Sequence, residues 1–133
     1  MSDQAWNRPR PWPEIVEAYR KTEDSIAPEE RVRAERFWHA HSAVVDLAAH
    51  IAWGPLGSVL FGWKSLEGLG IQQTDVDTHS TPFLRVRPME DGTVEFRYVD
   101  TNIKSRQWSR TVPPEGVIGR FEAFIDQLHW IAR

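Results

Sequence analysis

No cysteine occurs among the 133 residues. That absence excludes a disulfide framework, a thiolate zinc site, a thiol nucleophile and a cysteine-held iron–sulfur cluster. No apolar run approaches the ~18 residues that a membrane-spanning helix needs. The first residues lack the basic–apolar–small pattern of a secretory signal, so a cytoplasmic address is expected. An excess of one charge is missing too: 16 Lys+Arg face 19 Asp+Glu, a net charge of −3, which disfavours general nucleic-acid binding. Phosphate loops are absent. Gly54-Pro55-Leu56-Gly57 and Gly68-Leu69-Gly70 have neither the spacing nor the Lys-Ser/Thr ending of such a loop. Ser58 follows Gly57 but lacks the second glycine of a nucleophile elbow. There is no internal repeat and no low-complexity stretch.

What is present is ordinary globular composition, 41% hydrophobic and 26% charged, with enough apolar surface to offset chain entropy. A single domain over 1–133 is expected. The chain is Trp-rich, with seven tryptophans spread from Trp6 to Trp130, and it has nine prolines. Large rings fill a small core efficiently and also anchor interfaces. Residues 1–12 read as an arm, because Arg8-Pro9-Arg10-Pro11-Trp12-Pro13 favours extended, polyproline-like backbone. Trp12 is expected to pack.

Pro13 suits a first helical position and Glu14 complements the helix dipole; Ile15, Val16 and Tyr19 then predict a short helix over 13–22. Pro28-Glu29-Glu30 opens a second helix and Gly54-Pro55 stops it. At ~1.5 Å per residue this would be a rod of about 38 Å. Phe37, Ala40, Val44, Leu47, Ala48 and Ile51 share one face, flanked by Trp38 and Val45. Glu35, His39, Ser42, Asp46 and His50 share the opposite one. Val59, Phe61 and Trp63 alternate, predicting a strand over 57–64, with residues 65–69 compatible with a short helical piece. Two alternating runs, Pro82–Pro88 and Thr93–Asp100, then form a hairpin. A two-residue turn at Asp91-Gly92 would oppose apolar and charged side chains. A three-residue loop, Glu90-Asp91-Gly92, pairs Val86 with Phe96, Leu84 with Tyr98 and Arg87 with Glu95, and puts Gly92 in the left-handed position. A further strand covers 105–112. A last helix runs over 115–132 on a stripe of Val117, Phe121, Phe124, Ile125, Leu128 and Ile131. The expected fold is α+β: N-terminal helices, one of them long, a four-stranded antiparallel β-meander, and a C-terminal helix packed on the sheet.

Candidate chemistry is sparse. Glu35–His39 and Asp46–His50 are i,i+4 pairs that could offer metal ligands, with His79 or the Asp75/Asp77 loop completing a site. The stripe is about 23 Å long, however, so it reads as a solvated polar face with carboxylate–imidazole pairs. The Asp75–His79 loop lacks the glycine and distal glutamate of a calcium loop. His41 sits at the edge of the apolar face; as a general base it would need an orienting partner, and none is visible. No metal, cofactor or catalytic set is assigned.

The second face of the sheet is more informative. Arg85, Arg87 and Arg97 lie opposite Leu84, Val86, Phe96 and Tyr98, and Arg106, Trp108 and Arg110 could extend that face. In the preferred register Arg85 opposes Arg97, which is unfavourable unless an anion or acid sits between them. The expectation is a non-enzymatic binding protein (inhibitor, immunity, adaptor or accessory chaperone) that holds an acidic partner surface on these six residues. The alternative is a pocket protein or small cofactor-free enzyme whose cavity, between sheet and long helix, is lined by His41, Trp63, Tyr98 and Trp108 and takes a small anionic ligand. Neither reading fixes the oligomeric state.

Overall fold

The computed structural model describes residues 8–66, 68–77 and 81–130. Its elements, in order, are α1 (Trp12–Asp24), α2 (Pro28–Arg33), α3 (Glu35–Ala52), β1 (Phe61–Ser65), β2 (Gly68–Gln72), β3 (Phe83–Pro88), β4 (Val94–Val99), β5 (Trp108–Val112) and α4 (Val117–Gln127). The fold is α+β. The strands form one antiparallel meander in the order β1-β2-β3-β4-β5, and the helices pack on one face of it. α3 lies over β3 and β4, α1 runs beside α3 over β1, and α4 flanks α3 on the other side. Phe124 of α4 meets Phe96 of β4 and Trp108 of β5, with ring centroids 5.0 and 4.8 Å apart.

The meander has five strands, one more than the sequence suggests. The extra strand is β2, Gly-Leu-Gly-Ile-Gln, wholly buried. It does alternate, but two of its three outward positions, Gly68 and Gly70, are glycines, which read as breakers rather than as one face of a strand. Trp63 supplies the reason for Gly70. Its indole occupies the place of a side chain there, and a Cβ added to Gly70 would lie 2.1 Å from the ring. Trp12 does the same on the helix side: a Cβ on Gly62 would lie 2.4 Å from its six-membered ring. Trp12 is buried as expected, and its Nε1–H donates to the Leu60 carbonyl at 2.9 Å. The arm thereby straps the free edge of β1, with the Arg10 N–H donating to the Gly62 carbonyl at 2.8 Å. Trp6 lies outside the described residues.

The β3–β4 register is the expected one: Val86 faces Phe96, Leu84 faces Tyr98, Arg87 faces Glu95 and Arg85 faces Arg97. Gly92 takes φ +93° in the connecting loop. Asp91 fixes that loop by accepting from the Thr93 N–H (3.0 Å) and hydroxyl (2.7 Å), bonds that hold its carboxyl below the usual carboxylate range.

The helices need three corrections. The long helix breaks at Ala34, whose φ −118° and ψ 44° are not helical. The first piece, α2, buries nothing, and Val32 is 78% exposed, so packing does not hold α2 in line with α3. Instead Arg31 donates to the Glu23 carbonyl at the end of α1 (2.9 Å). A 3₁₀ turn at Pro55–Ser58 replaces the start of the first expected strand. The last helix begins at Val117, after a 3₁₀ turn over Pro114–Gly116, and stops at Gln127. Its end is a Schellman cap: the Trp130 N–H donates to the Ile125 carbonyl, the His129 N–H donates to that of Asp126, and His129 is left-handed at φ +57°.

Candidate functional site

Residues paired across antiparallel strands share a face, so the register sorts every strand side chain. Toward the helices lie Ile71, Leu84, Tyr98 and Trp108 in one row, and Leu69, Val86, Phe96 and Arg110 in the next. The outer face has three rows. The first is Phe61, Gln72, Phe83 and Val99; the second is Trp63, Gly70, Arg85, Arg97 and Ser109; the third is Ser65, Gly68, Arg87, Glu95 and Thr111.

One end of the outer face is roofed. The fully buried Gln72 accepts from Trp63 Nε1 at 3.0 Å, and its amide nitrogen donates to the carbonyls of Thr74 (2.8 Å) and Val76 (2.9 Å). These bonds fold residues 73–76 back over the first row. Phe83 packs edge-on to Trp63 at 5.2 Å, and both rings are buried.

The other end carries charge. Glu95 accepts from Arg87 Nε at 2.9 Å and from the Ser109 hydroxyl at 3.2 Å, so its two oxygens are occupied. Arg85 and Arg97 face each other across β3 and β4, and among the described residues neither has a carboxylate within ion-pair distance. Arg85 Nε is buried without a hydrogen-bond partner. Burial, and then the neighbouring Arg87 and Arg97, lower the pKa of its guanidinium, against a weaker opposing pull from Glu95. Among the described residues of this face, three guanidinium groups against one carboxylate leave a formal excess of two positive charges on a chain whose net charge is −3.

Beside this row runs a groove of about 260 Å³, lined by Trp63, Phe83, Leu66 and Phe37 together with Arg85 and Arg87. Gly68 and Ser65 also border it, and it ends against Pro88.

Of the six expected partner-binding residues, Arg85, Arg87 and Arg97 converge. The other three do not, which corrects the expectation. Trp108 and Arg110 are on the helix-side rows. Trp108 stacks on Tyr98 (6.0 Å), and the Arg110 guanidinium lies over Trp108 at 5.6 Å. Arg106 sits in an exposed 3₁₀ turn, Lys104–Arg106, before β5. The alternative pocket is not assembled either. Trp63 is on the outer face, Tyr98 and Trp108 are on the inner face by α4, and His41 is between α1 and α3. A second groove, of about 420 Å³, follows the arm past Pro11, Trp12 and Phe61. Neither groove is lined by His41, Tyr98 or Trp108.

His41 does have an orienting partner, Glu23 of α1. Its Nδ1 lies 2.8 Å from Glu23 Oε2, which also accepts from the Ser42 hydroxyl at 3.0 Å. The imidazole is 0% exposed, boxed by Tyr19, Phe37 and Trp38. A carboxylate–imidazole pair of this geometry can orient a base, but these rings close it off and it serves as a tie between α1 and α3. Asp46, farther along α3, has its carboxyl pKa raised by burial and then by the charge of Glu23.

The expected i,i+4 pairs on α3 give way to ties between elements: His39 lies 3.6 Å from Glu115 and His50 lies 2.9 Å from Glu122. Asp77 pairs with Arg8 at 3.3 Å, and His79 lies outside the described residues. Among the described residues no three His, Asp or Glu side chains gather as a metal set, and no helix is long and apolar enough to cross a membrane.

The class defined by these features is a two-layer α+β domain with an arginine-bearing open sheet face. Comparison with protein-family models, with curated proteins and with solved structures returned no match to this chain.

Proposed function

We propose that this chain is a non-enzymatic binding domain whose outer sheet face holds an acidic segment of a partner protein. One observation carries the reading: among the described residues Arg85 and Arg97 stand directly opposite each other with no carboxylate within ion-pair distance, while Glu95 is committed to Arg87 and Ser109. Like charges across a strand pair cost stability unless an anion lies between them. Arginine forks match carboxylates bidentately, and a half-buried guanidinium is only partly screened by solvent. The positive charge is local on a net-negative chain, which suits selective capture of an acidic surface better than broad polyanion binding.

The test is fluorescence anisotropy with a labelled Asp/Glu-rich peptide. Binding is expected to weaken as salt rises from about 50 to about 200 mM. It is expected to fall by at least about tenfold in R85E/R97E. Equal binding by that variant, folded as judged by its melting curve, overturns the reading.

A further inference from the structure

We infer that the acidic segment recognised by this face carries an apolar side chain next to a carboxylate, and that the groove beside Arg85 seats it. The inference rests on the function proposed above and adds a specificity element to it.

Three observations meet at the groove. The first is its size. At about 260 Å³ it falls below the ~300 Å³ at which pockets begin to enclose a drug-sized ligand. A space of that size suits one anchoring side chain from a partner, the kind of contact that concentrates interface energy. The second is its chemistry. Leu66 and Phe37 offer apolar surface beside the largely buried rings of Trp63 and Phe83, and the guanidinium groups of Arg85 and Arg97 stand alongside. An aliphatic or aromatic side chain fits against Leu66 and Phe37, and a carboxylate from a neighbouring residue can accept from Arg85 and Arg97. The third is Leu66 itself. It is 83% exposed at the β1–β2 turn and holds φ +53°, a left-handed backbone that a leucine seldom adopts. Glycine or asparagine would hold this position with less strain, and neither would place apolar surface at the rim. Strain kept at an exposed position points to a use for the side chain.

Two labelled acidic peptides of equal length and charge test this. One contains only Asp, Glu and Gly; in the other, Leu replaces part of the Gly. The Leu peptide is expected to bind the wild-type chain at least about tenfold more tightly. Leu66→Asn keeps the left-handed turn and removes the apolar rim, so it should cut that advantage to under about threefold while leaving the Gly peptide unchanged. R85E/R97E should weaken both.

Equal affinity of the two peptides for wild type, with both lost in R85E/R97E, overturns the groove inference and leaves the charge reading standing. Failure of either peptide to bind wild type, or indifference of both to R85E/R97E, overturns the two together. Self-association of wild type in sedimentation, abolished by Leu66→Asn, would assign the groove to a second copy and also overturn the inference.

Discussion

The two faces of the sheet come from the same strands and settle their side chains differently. On the helix side, Leu69, Ile71, Leu84, Val86 and Phe96 are buried in one cluster with Val44, Leu47, Ala48 and Ile51 of α3. In the helix layer Glu23 takes both His41 Nδ1 and the Ser42 hydroxyl, while Trp38 Nε1 and His41 Nε2 are buried without a hydrogen-bond partner among the described residues. On the outer side, the first row is sealed by Gln72 and its loop, whereas Arg85 and Arg97 are left opposite each other. Apolar packing accounts for the helix side. It gives no reason for two like charges one strand apart with no carboxylate partner among the described residues, and that difference is what makes the outer face the candidate site.

The largest effect separating the faces is expected from neighbouring residues of β4. Phe96 is fully buried against Phe124, so Phe96→Ala should cost about 3–5 kcal/mol in urea denaturation. Arg97→Ala, one position along and on the other face, should stay within about 0.5 kcal/mol of wild type. Comparable losses at the two positions would mean that the outer face is structural after all.

The glycine rows sharpen the contrast. Gly70→Ala places a methyl group inside the indole of Trp63 and must displace it, breaking the bond to Gln72 that anchors the roof. A loss of about 1–3 kcal/mol is expected. A methyl group at Gly119 would meet nothing within 4 Å, so Gly119→Ala in α4 should instead stabilise by about 0.5–1 kcal/mol. Thermal melts of the two variants are expected to move in opposite directions. For the tie inside the helix layer, Glu23→Ala leaves the buried His41 Nδ1 without a partner and should cost about 1–3 kcal/mol.

These contrasts bear on what a sequence reveals. The β3–β4 hairpin was legible because three independent constraints agree on one register: alternation, the Arg87–Glu95 charge match, and a glycine where the loop turns left-handed. That register alone places Arg85, Arg87 and Arg97 on one face. The face of β5 was not legible. Trp108 and Arg110 have the same parity, and only their pairing with Tyr98 and Phe96 puts them on the helix side. An arginine on an edge strand can reach water from either side, so its polarity does not report its face. β2 was hidden because its central glycine, Gly70, answers to Trp63, a residue of another strand. The Glu23–His41 bond joins two helices eighteen residues apart in the chain, and no local spacing marks it. Leu66 betrays itself only through its backbone angle.

The smallest expected effect bears most directly on function. Arg97→Thr keeps a residue that favours strands and removes one of the two opposed guanidinium groups. If that opposition is kept for a partner, the variant should gain stability, by about 0.2–1 kcal/mol at low salt. The gain should shrink as salt screens the pair. The same variant should hold acidic peptides more weakly, because the fork that accepted them is gone. Stability and binding would then move in opposite directions at one exposed residue, as they do where a site is maintained against the interest of the fold. Denaturation and anisotropy measured on the same preparation decide the matter. A variant that gains no stability and binds as wild type does would show that the open face carries no function through Arg97.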